Sequence, residues 1–245
     1  MSAQPAPSSA ASSFRSISVF FPCFNERENL EPLVRQALDV LGKMGLDYEI
    51  IIVDDGSTDG TGALADALAA ENPRIKVIHH PVNKGYGAAL QSGFRAASKE
   101  LIFYTDGDRQ FDLNELPPLL PLIEQYDIVS CYRINRQDGW IRRFNGFAWT
   151  RLVCLLFHLK LKDIDCSFKL YKRKIFDGMP LVSTGALIDT EVLARAVRKG
   201  YTITQVGVHH YPRRAGKATG AKLRVIARAF YELFKLRNTI VKQKT

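Results

Sequence analysis

Along the first half of the chain one pattern repeats: a short apolar run, a polar loop, then a segment with apolar residues every three or four positions. The runs Ile17-Ser18-Val19-Phe20-Phe21, Tyr48 to Val53, Ile75 to His79 and Leu101 to Thr105 have the length and composition of β-strands. Between the first two, Asn25 to Met44 predicts a helix with Leu30, Leu33, Val34, Ala37, Leu38 and Leu41 on one face. The second helix carries Ala63, Leu64, Ala67 and Leu68, and Asn83-Lys84-Gly85-Tyr86-Gly87 opens a third that runs to Ala97. Strands alternating with helices in this way predict an α/β fold, a Rossmann-like and mostly parallel sheet with helices on both faces.

Sheets of that kind bind ligands at the carboxyl ends of their strands. Four polar loops follow strand ends here: Pro22 to Glu26, Asp54 to Asp59, Asn83 to Gly87, and Asp106 to Gln110. In the last of them alternate residues project to one side, so Asp106, Asp108 and Gln110 present oxygens to a single point. Oxygen ligands suit a hard cation, Mg²⁺ or Mn²⁺, that keeps waters and substrate phosphates in its shell. Gly107 between the carboxylates leaves room for a diphosphate to approach the backbone. The other reading of Asp-Gly-Asp is a polar turn after a buried strand. A G-x-G-x-x-G fingerprint after a strand and a Walker A loop are both absent.

The second half is less regular. Leu113 to Ile123 reads as a Pro-broken helix, Asp127 to Cys131 as a fifth strand, and Tyr132 to Arg143 as a loop carrying Arg133, Arg136, Arg142 and Arg143. Phe144 to Leu159 is a helix apolar on nearly every side, either core or laid against lipid. An acidic start at Asp163 turns strand-like by Tyr171. Ala186 to Lys199 is a helix with Asp189 and Glu191 in its first turn, where acids favour the helix dipole. A sixth strand spans Thr202 to Val208. The adjacent His209 and His210 face opposite ways in an extended chain and read as structural. Ala221 to Asn238 is a basic amphipathic helix that docks on its own domain or lies on an anionic membrane.

Composition narrows the partners. The 34 Lys+Arg against 25 Asp+Glu give a net charge of +9, which fits anionic partners such as nucleotides or acidic head groups. Cys23, Cys131, Cys154 and Cys166 include no C-x-x-C pair and are expected as reduced thiols in a cytosolic setting rather than as a disulfide or zinc site. No run approaches the ~18 apolar residues of a membrane span. Residues 1–15 read as a disordered Ala/Ser/Pro-rich tail rather than a signal peptide, residues 16–219 as the α/β domain, and residues 220–245 as the C-terminal helix.

The four rim loops in this order resemble the GT-A fold of family 2 glycosyltransferases, and among them the polyprenyl-phosphate sugar transferases of the dolichol-phosphate mannose synthase type. Arg133, the segment Asp163 to Lys169, Glu191, and Arg213 to Gly216 align as well. The resemblance implies that Pro22, Phe24, Glu26, Val53 and Asp55 hold the base and ribose of a GDP- or UDP-sugar. It implies Asp106, Asp108 and Gln110 as ligands of Mg²⁺ or Mn²⁺, Gly107 beside the ribose or diphosphate, and Arg133 and Arg213 on phosphates. Two stretches depart from the family pattern. R-x-x-G-x-S-K becomes Arg213 to Thr219 with the lysine contact missing or moved, and D-x-T-S-G-[FY]-R becomes Asp163-Ile164-Asp165-Cys166-Ser167-Phe168-Lys169.

The implied reaction is inverting transfer of a hexose from a nucleoside diphosphate sugar to a polyprenyl phosphate, at the cytoplasmic face of a membrane to which the protein is peripheral. A lipid monophosphate is largely dianionic at neutral pH and attacks without a base. A sugar hydroxyl acceptor would need one, from Asp163, Asp165 or Glu191. A nucleic-acid-binding module is the distant alternative, disfavoured because the basic residues are scattered without aromatic interleaving.

Overall fold

A computed structural model describes residues 13–135, 140–213 and 232–240 of the chain. The expected tail over 1–12, Arg136, the Gly216-Lys217 motif and most of the C-terminal helix lie outside the described residues, as do the side chains of Arg142 and Arg143. Residues 13–15, placed in the tail by composition, are tied down. The Ser13 backbone N–H and hydroxyl donate to Glu124 at 2.6 Å each, and the Arg15 N–H donates to Glu100 at 2.6 Å.

The first half follows the expected alternation: β1 (Ser16–Cys23), α1 (Arg27–Lys43), β2 (Asp47–Asp54), α2 (Thr61–Glu71), β3 (Ile75–His79), α3 (Tyr86–Ala96) and β4 (Leu101–Thr105). The Pro-broken helix resolves into two 3-10 turns and a short α4 (Leu120–Gln125), because Pro117, Pro118 and Pro121 remove the N–H groups a continuous helix needs. There follow β5 (Ile128–Ser130), β6 (Tyr132–Ile134), α5 (Trp140–Phe157), β7 (Phe168–Lys172), α6 (Ile188–Arg198), β8 (Ile203–Thr204) and β9 (Gly207–His209). The loop expected over Tyr132 to Arg143 therefore contains a strand, and the sixth strand divides in two.

One seven-stranded sheet has the order β3-β2-β1-β4-β7-β5-β8, and β6 pairs with β9 in a small second sheet. All its pairings are parallel except those of β7, which runs antiparallel to β4 and β5. In that reversed register Thr105 lies opposite Phe168, so the segment before β7 arrives at the carboxyl end of β4. Period-2 alternation sorts the strands into two cores. Ile17, Val19, Phe21, Ile50, Ile52, Leu101 and Phe103 pack with α1 and α2, whereas Phe20, Ile51, Val53, Ile102 and Tyr104 pack with α3, α5 and α6. Of the apolar residues expected on α2, Leu68 is buried but Ala63 and Ala67 are exposed; Ala65 takes the inward position.

The helix expected over Phe144 to Leu159 is core on one side only. Thr150 and Val153 are buried, while Phe144, Phe147 and Leu155 stand outward. The C-terminal helix docks: over 232–240, Leu233, Leu236 and Ile240 join the second core, and the Arg237 Nε donates to the Leu156 carbonyl at 3.4 Å.

Near the amino ends of β1, β2 and β3, Glu49 accepts from Ser18 at 2.6 Å, from Lys76 at 2.7 Å, and from the Ser98 N–H and hydroxyl at 2.8 Å each. Burial would raise its pKa, but these bonds outweigh it and bring the carboxyl to about 2. A depressed pKa contributes stability that is present above the ordinary carboxylate value and lost as pH falls through about 2. Glu49→Gln is therefore expected to lower the melting temperature at pH 7 and to narrow its difference from the parent as pH drops from 4 toward 2, read by thermal melts across that range.

Candidate active site

The carboxyl ends of β1, β2 and β4, with the loop after β3, wall a cleft of about 460 Å³. Pro22, Cys23, Phe24 and Glu26 come from the β1 end, Asp55 from β2, and Asn83, Tyr86 and Ala89 from the loop and first turn of α3. Asp106, Gly107 and Asp108 come from β4, and Arg213 closes the open side. A second cavity of about 470 Å³, lined by Ser16, Glu100 and Lys172, lies at the opposite end of the strands, away from all these groups.

The cleft's floor is its most charged part. Asp106 Oδ1 accepts from the Tyr86 hydroxyl at 2.9 Å and Oδ2 from the Ser167 hydroxyl at 2.6 Å. Burial, then the charge of Asp108, pushes its pKa up to about 7. Asp108 is also raised by burial, against the pull of the Gln110 N–H, which donates to its Oδ1 at 3.1 Å, and of Arg213. Arg213 donates to Glu26 Oε1, and its other amino group lies 3.8 Å from Asp108 Oδ2. Glu26 is held in turn by the Asn29 amide at 2.7 Å.

Asp55 is nearly buried and fully engaged. Its Oδ1 meets His80 Nδ1 at 2.6 Å and the Lys84 N–H at 2.9 Å, and its Oδ2 accepts the Gly85 N–H at 2.9 Å. It thus fixes the loop from which α3 starts. Glycines in that loop answer a packing demand. A Cβ on Gly87 would lie 2.5 Å from the Ser183 carbonyl oxygen, and one on Gly85, whose φ is +98°, 2.7 Å from that of Thr184. Gly107 likewise passes too close to Cys23, where a Cβ would meet Sγ at 2.8 Å. Burial raises the Cys23 pKa well above its ordinary value, so the group stays a thiol.

Eight of the residues expected from the sequence therefore meet in one cleft: Pro22, Phe24, Glu26, Asp55, Asp106, Gly107, Asp108 and Arg213. Three do not line it. Val53 is fully buried in the core beneath α3. Gln110 directs its Nε2 to the Tyr211 carbonyl at 3.0 Å. Arg133, on β6, forms a two-pronged pair with Asp163 at 2.7 and 2.8 Å. His209 and His210 diverge as expected, one to Glu115 at 3.2 Å and the other against the Phe111 ring. Sequence reasoning gave no role to Tyr86, Ser167 or His80. Tyr86 and Ser167 stand inside the quoted motifs, Ser167 at the position where the family pattern reads glycine; nothing local marks His80.

The described residues contain no cluster of three or more His, Cys, Asp or Glu side chains that could form a metal cage. Two crowded carboxylates at the bottom of an open cleft fit a cation of another kind. Mg²⁺ or Mn²⁺ binds through one or two carboxylates and completes its shell with waters and phosphate oxygens.

Open α/β sheets bind their ligands at the carboxyl ends of their strands, and this carboxylate-lined cleft lies there. The family model for glycosyl transferase family 2 matches residues 18–179, and the chain belongs to that family. Solved structures share the fold. Glucosyl-3-phosphoglycerate synthase from Mycobacterium tuberculosis, in complex with Mn²⁺, UDP and phosphoglyceric acid, aligns with TM-score 0.70 at 21% identity over 94% of this chain and 80% of that one. The same protein with Mn²⁺ and UDP-glucose aligns with TM-score 0.70 at 22% identity, over 96% and 84%. Mannosyl-3-phosphoglycerate synthase from Rubrobacter xylanophilus gives 0.70 at 19%, over 94% and 75%. The expected GT-A architecture is met.

Proposed function

We propose that this chain is an inverting, cation-dependent hexosyltransferase that takes its sugar from a GDP- or UDP-sugar and passes it to a polyprenyl phosphate at a membrane surface. The observation that carries the donor half is the convergence of Asp106 and Asp108 with the Glu26 and Asp55 rim in one cleft. Mg²⁺ or Mn²⁺ held there would supply positive charge to the departing diphosphate. Arg213 sits over the same carboxylates and can add its charge once a phosphate competes for it. The structures with Mn²⁺ and uridine nucleotides support the donor class.

The acceptor half rests on the state of the carboxylates. Glu191 is fully buried, accepts from Arg195 at 2.8 Å and takes the Val182 and Ser183 N–H groups, so it is no base. Asp163 is neutralised by Arg133. An acceptor that arrives already ionised needs neither. On α5, Phe144, Phe147, Arg151 and Leu155 form one outward stripe, with the Arg151 guanidinium over the Phe147 ring at 5.0 Å. Exposed Phe234 and Lys235 lie on the helix bonded to it. No acidic residue falls between 140 and 160, and an apolar, cationic stripe suits an anionic lipid surface. No helix among the described residues is long and apolar enough to cross a membrane.

A second reading has one observation in its favour. Asp165, two residues from the Ser167 whose hydroxyl holds Asp106, is pushed up to about 6 by burial and then by Asp163, the range a general base for a hydroxyl acceptor needs. The test is a panel of UDP- and GDP-hexoses against a short polyprenyl phosphate, 3-phosphoglycerate and free glycans, with Mn²⁺ and with chelator. The proposal expects transfer to the lipid phosphate, lost in chelator and retained by Asp165→Asn. Transfer to a hydroxyl acceptor alone, abolished by Asp165→Asn, would establish the second reading instead.

A further inference from the structure

Tyr86 stands between two parts of the cleft. Its backbone begins α3 directly after Gly85, whose N–H, with that of Lys84, is gripped by Asp55 at 2.9 Å. Asp55 is steadied by His80, which reaches Ser92 at 2.9 Å through its other ring nitrogen. From the far side, carbonyls of the loop at 183–185 bear on the same turn. The Ala88 N–H donates to the Thr184 carbonyl at 3.3 Å, and the Gln91 amide to that of Ser183 at 2.9 Å. A ring mounted on a turn so constrained has little freedom. Its hydroxyl ends on Asp106 Oδ1, while Ser167, delivered by the reversed β7 register, holds Oδ2.

We propose that Tyr86 is a positioning residue for the cation: its hydroxyl, opposed by that of Ser167, sets the orientation of the Asp106 carboxylate and ties it to the loop that Asp55 fixes on the nucleotide side. The inference rests on the cation-dependent reading above. A carboxylate with both oxygens accepting hydroxyl protons cannot rotate about its last bond without breaking both. Each oxygen keeps lone pairs for a metal, so the two hydroxyls preorganise the ligand rather than occupy it. Neither hydroxyl is called on to transfer a proton, and burial raises the Tyr86 pKa well above its ordinary value, keeping it a donor.

The experiment titrates Mn²⁺ into the full-length protein by calorimetry, without substrate, and compares the parent with Tyr86→Phe, Ser167→Ala and the double variant. Partners that orient a metal ligand typically contribute 10–100-fold in affinity, so Tyr86→Phe is expected to bind Mn²⁺ about tenfold more weakly. Its melting temperature in chelator should stay close to that of the parent. The double variant should lose less than the product of the two single losses, because both hydroxyls act on one carboxylate. Tyr86→Phe binding Mn²⁺ as tightly as the parent would overturn the inference, as would strictly multiplicative losses. A parent that binds no Mn²⁺ at all would instead overturn the cation-dependent reading. Should Tyr86→Phe fold poorly, Ser167→Ala carries the same expectation, and unchanged affinity there removes the clamp.

Discussion

Asp106→Asn is expected to lower the rate of sugar transfer by ~10²–10³-fold at saturating Mn²⁺, the scale on which removal of one preorganised electrostatic partner acts. The substitution leaves shape and hydrogen-bond capacity nearly intact, since the amide oxygen still accepts from one of Tyr86 and Ser167. What disappears is half of the anionic grip on the cation. The same change should leave the metal-free fold as stable or more stable. Burial and the neighbouring Asp108 raise the Asp106 pKa to about 7, so from pH 4 to 7 the folded parent binds more protons than the unfolded chain and loses stability as pH rises. Above pH 7 it carries that whole loss, and the asparagine variant carries none of it. Melts in chelator at pH 5 and pH 8 should show the variant gaining on the parent at the higher pH while its initial rates with nucleotide sugar collapse. A variant that transfers sugar at near-parental rates would detach Asp106 from the chemistry. Opposed effects on activity and stability are the usual mark of a site strained for function.

Much of this site was legible in advance because local signals coincide with it. Ile17 to Phe21, Tyr48 to Val53 and Leu101 to Thr105 are strand-like by composition, and each stops at a polar loop. Parallel order then brings those loops to one edge. The direction of β7 has no local signature. Phe168 to Lys172 would look the same in either orientation, and only pairing with β4 and β5 decides it. Ser167 could therefore be quoted as part of a motif without its contact with Asp106 being visible. Arg133 shows what a motif position cannot carry: its guanidinium forms a two-pronged pair with Asp163, thirty residues away in sequence, for which a phosphate would have to compete, as it would at Arg213. Asp189 and Glu191 read as dipole acids at a helix start, which is what spacing alone can say. In the fold each is the counterion of a basic residue, Lys169 for one and Arg195 for the other. Gly85 and Gly87 read as the loop that opens a helix, and the structure adds what spacing cannot show, the loop at 183–185 packed against them.

Lys169→Met is expected to destabilise the protein by ~3–5 kcal/mol, the cost of removing one partner from a buried ion pair. At ~2–4 °C per kcal/mol for a domain of this size, the melting temperature should fall by roughly 10 °C. Lys169 is fully buried on β7, where family resemblance leads one to expect arginine. Its ammonium donates to Asp189 Oδ1 at 2.8 Å, to the Tyr104 hydroxyl at 3.2 Å and to the Cys166 carbonyl. Methionine fills the volume but leaves the Asp189 carboxylate without its counterion and the Cys166 carbonyl without a donor. The desolvation cost of those two groups, not the lost attraction, dominates the effect. Lys169→Met with Asp189→Leu should therefore recover most of the loss, since an apolar pair of similar volume removes the unpaired charge. Cys166 precedes Ser167, so the single variant should also weaken Mn²⁺ binding by loosening the hydroxyl that holds Asp106. Thermal melts of the two variants decide the matter: a single variant as stable as the parent, or a double variant no better than the single, would mean that Lys169 and Asp189 do not act as a buried pair.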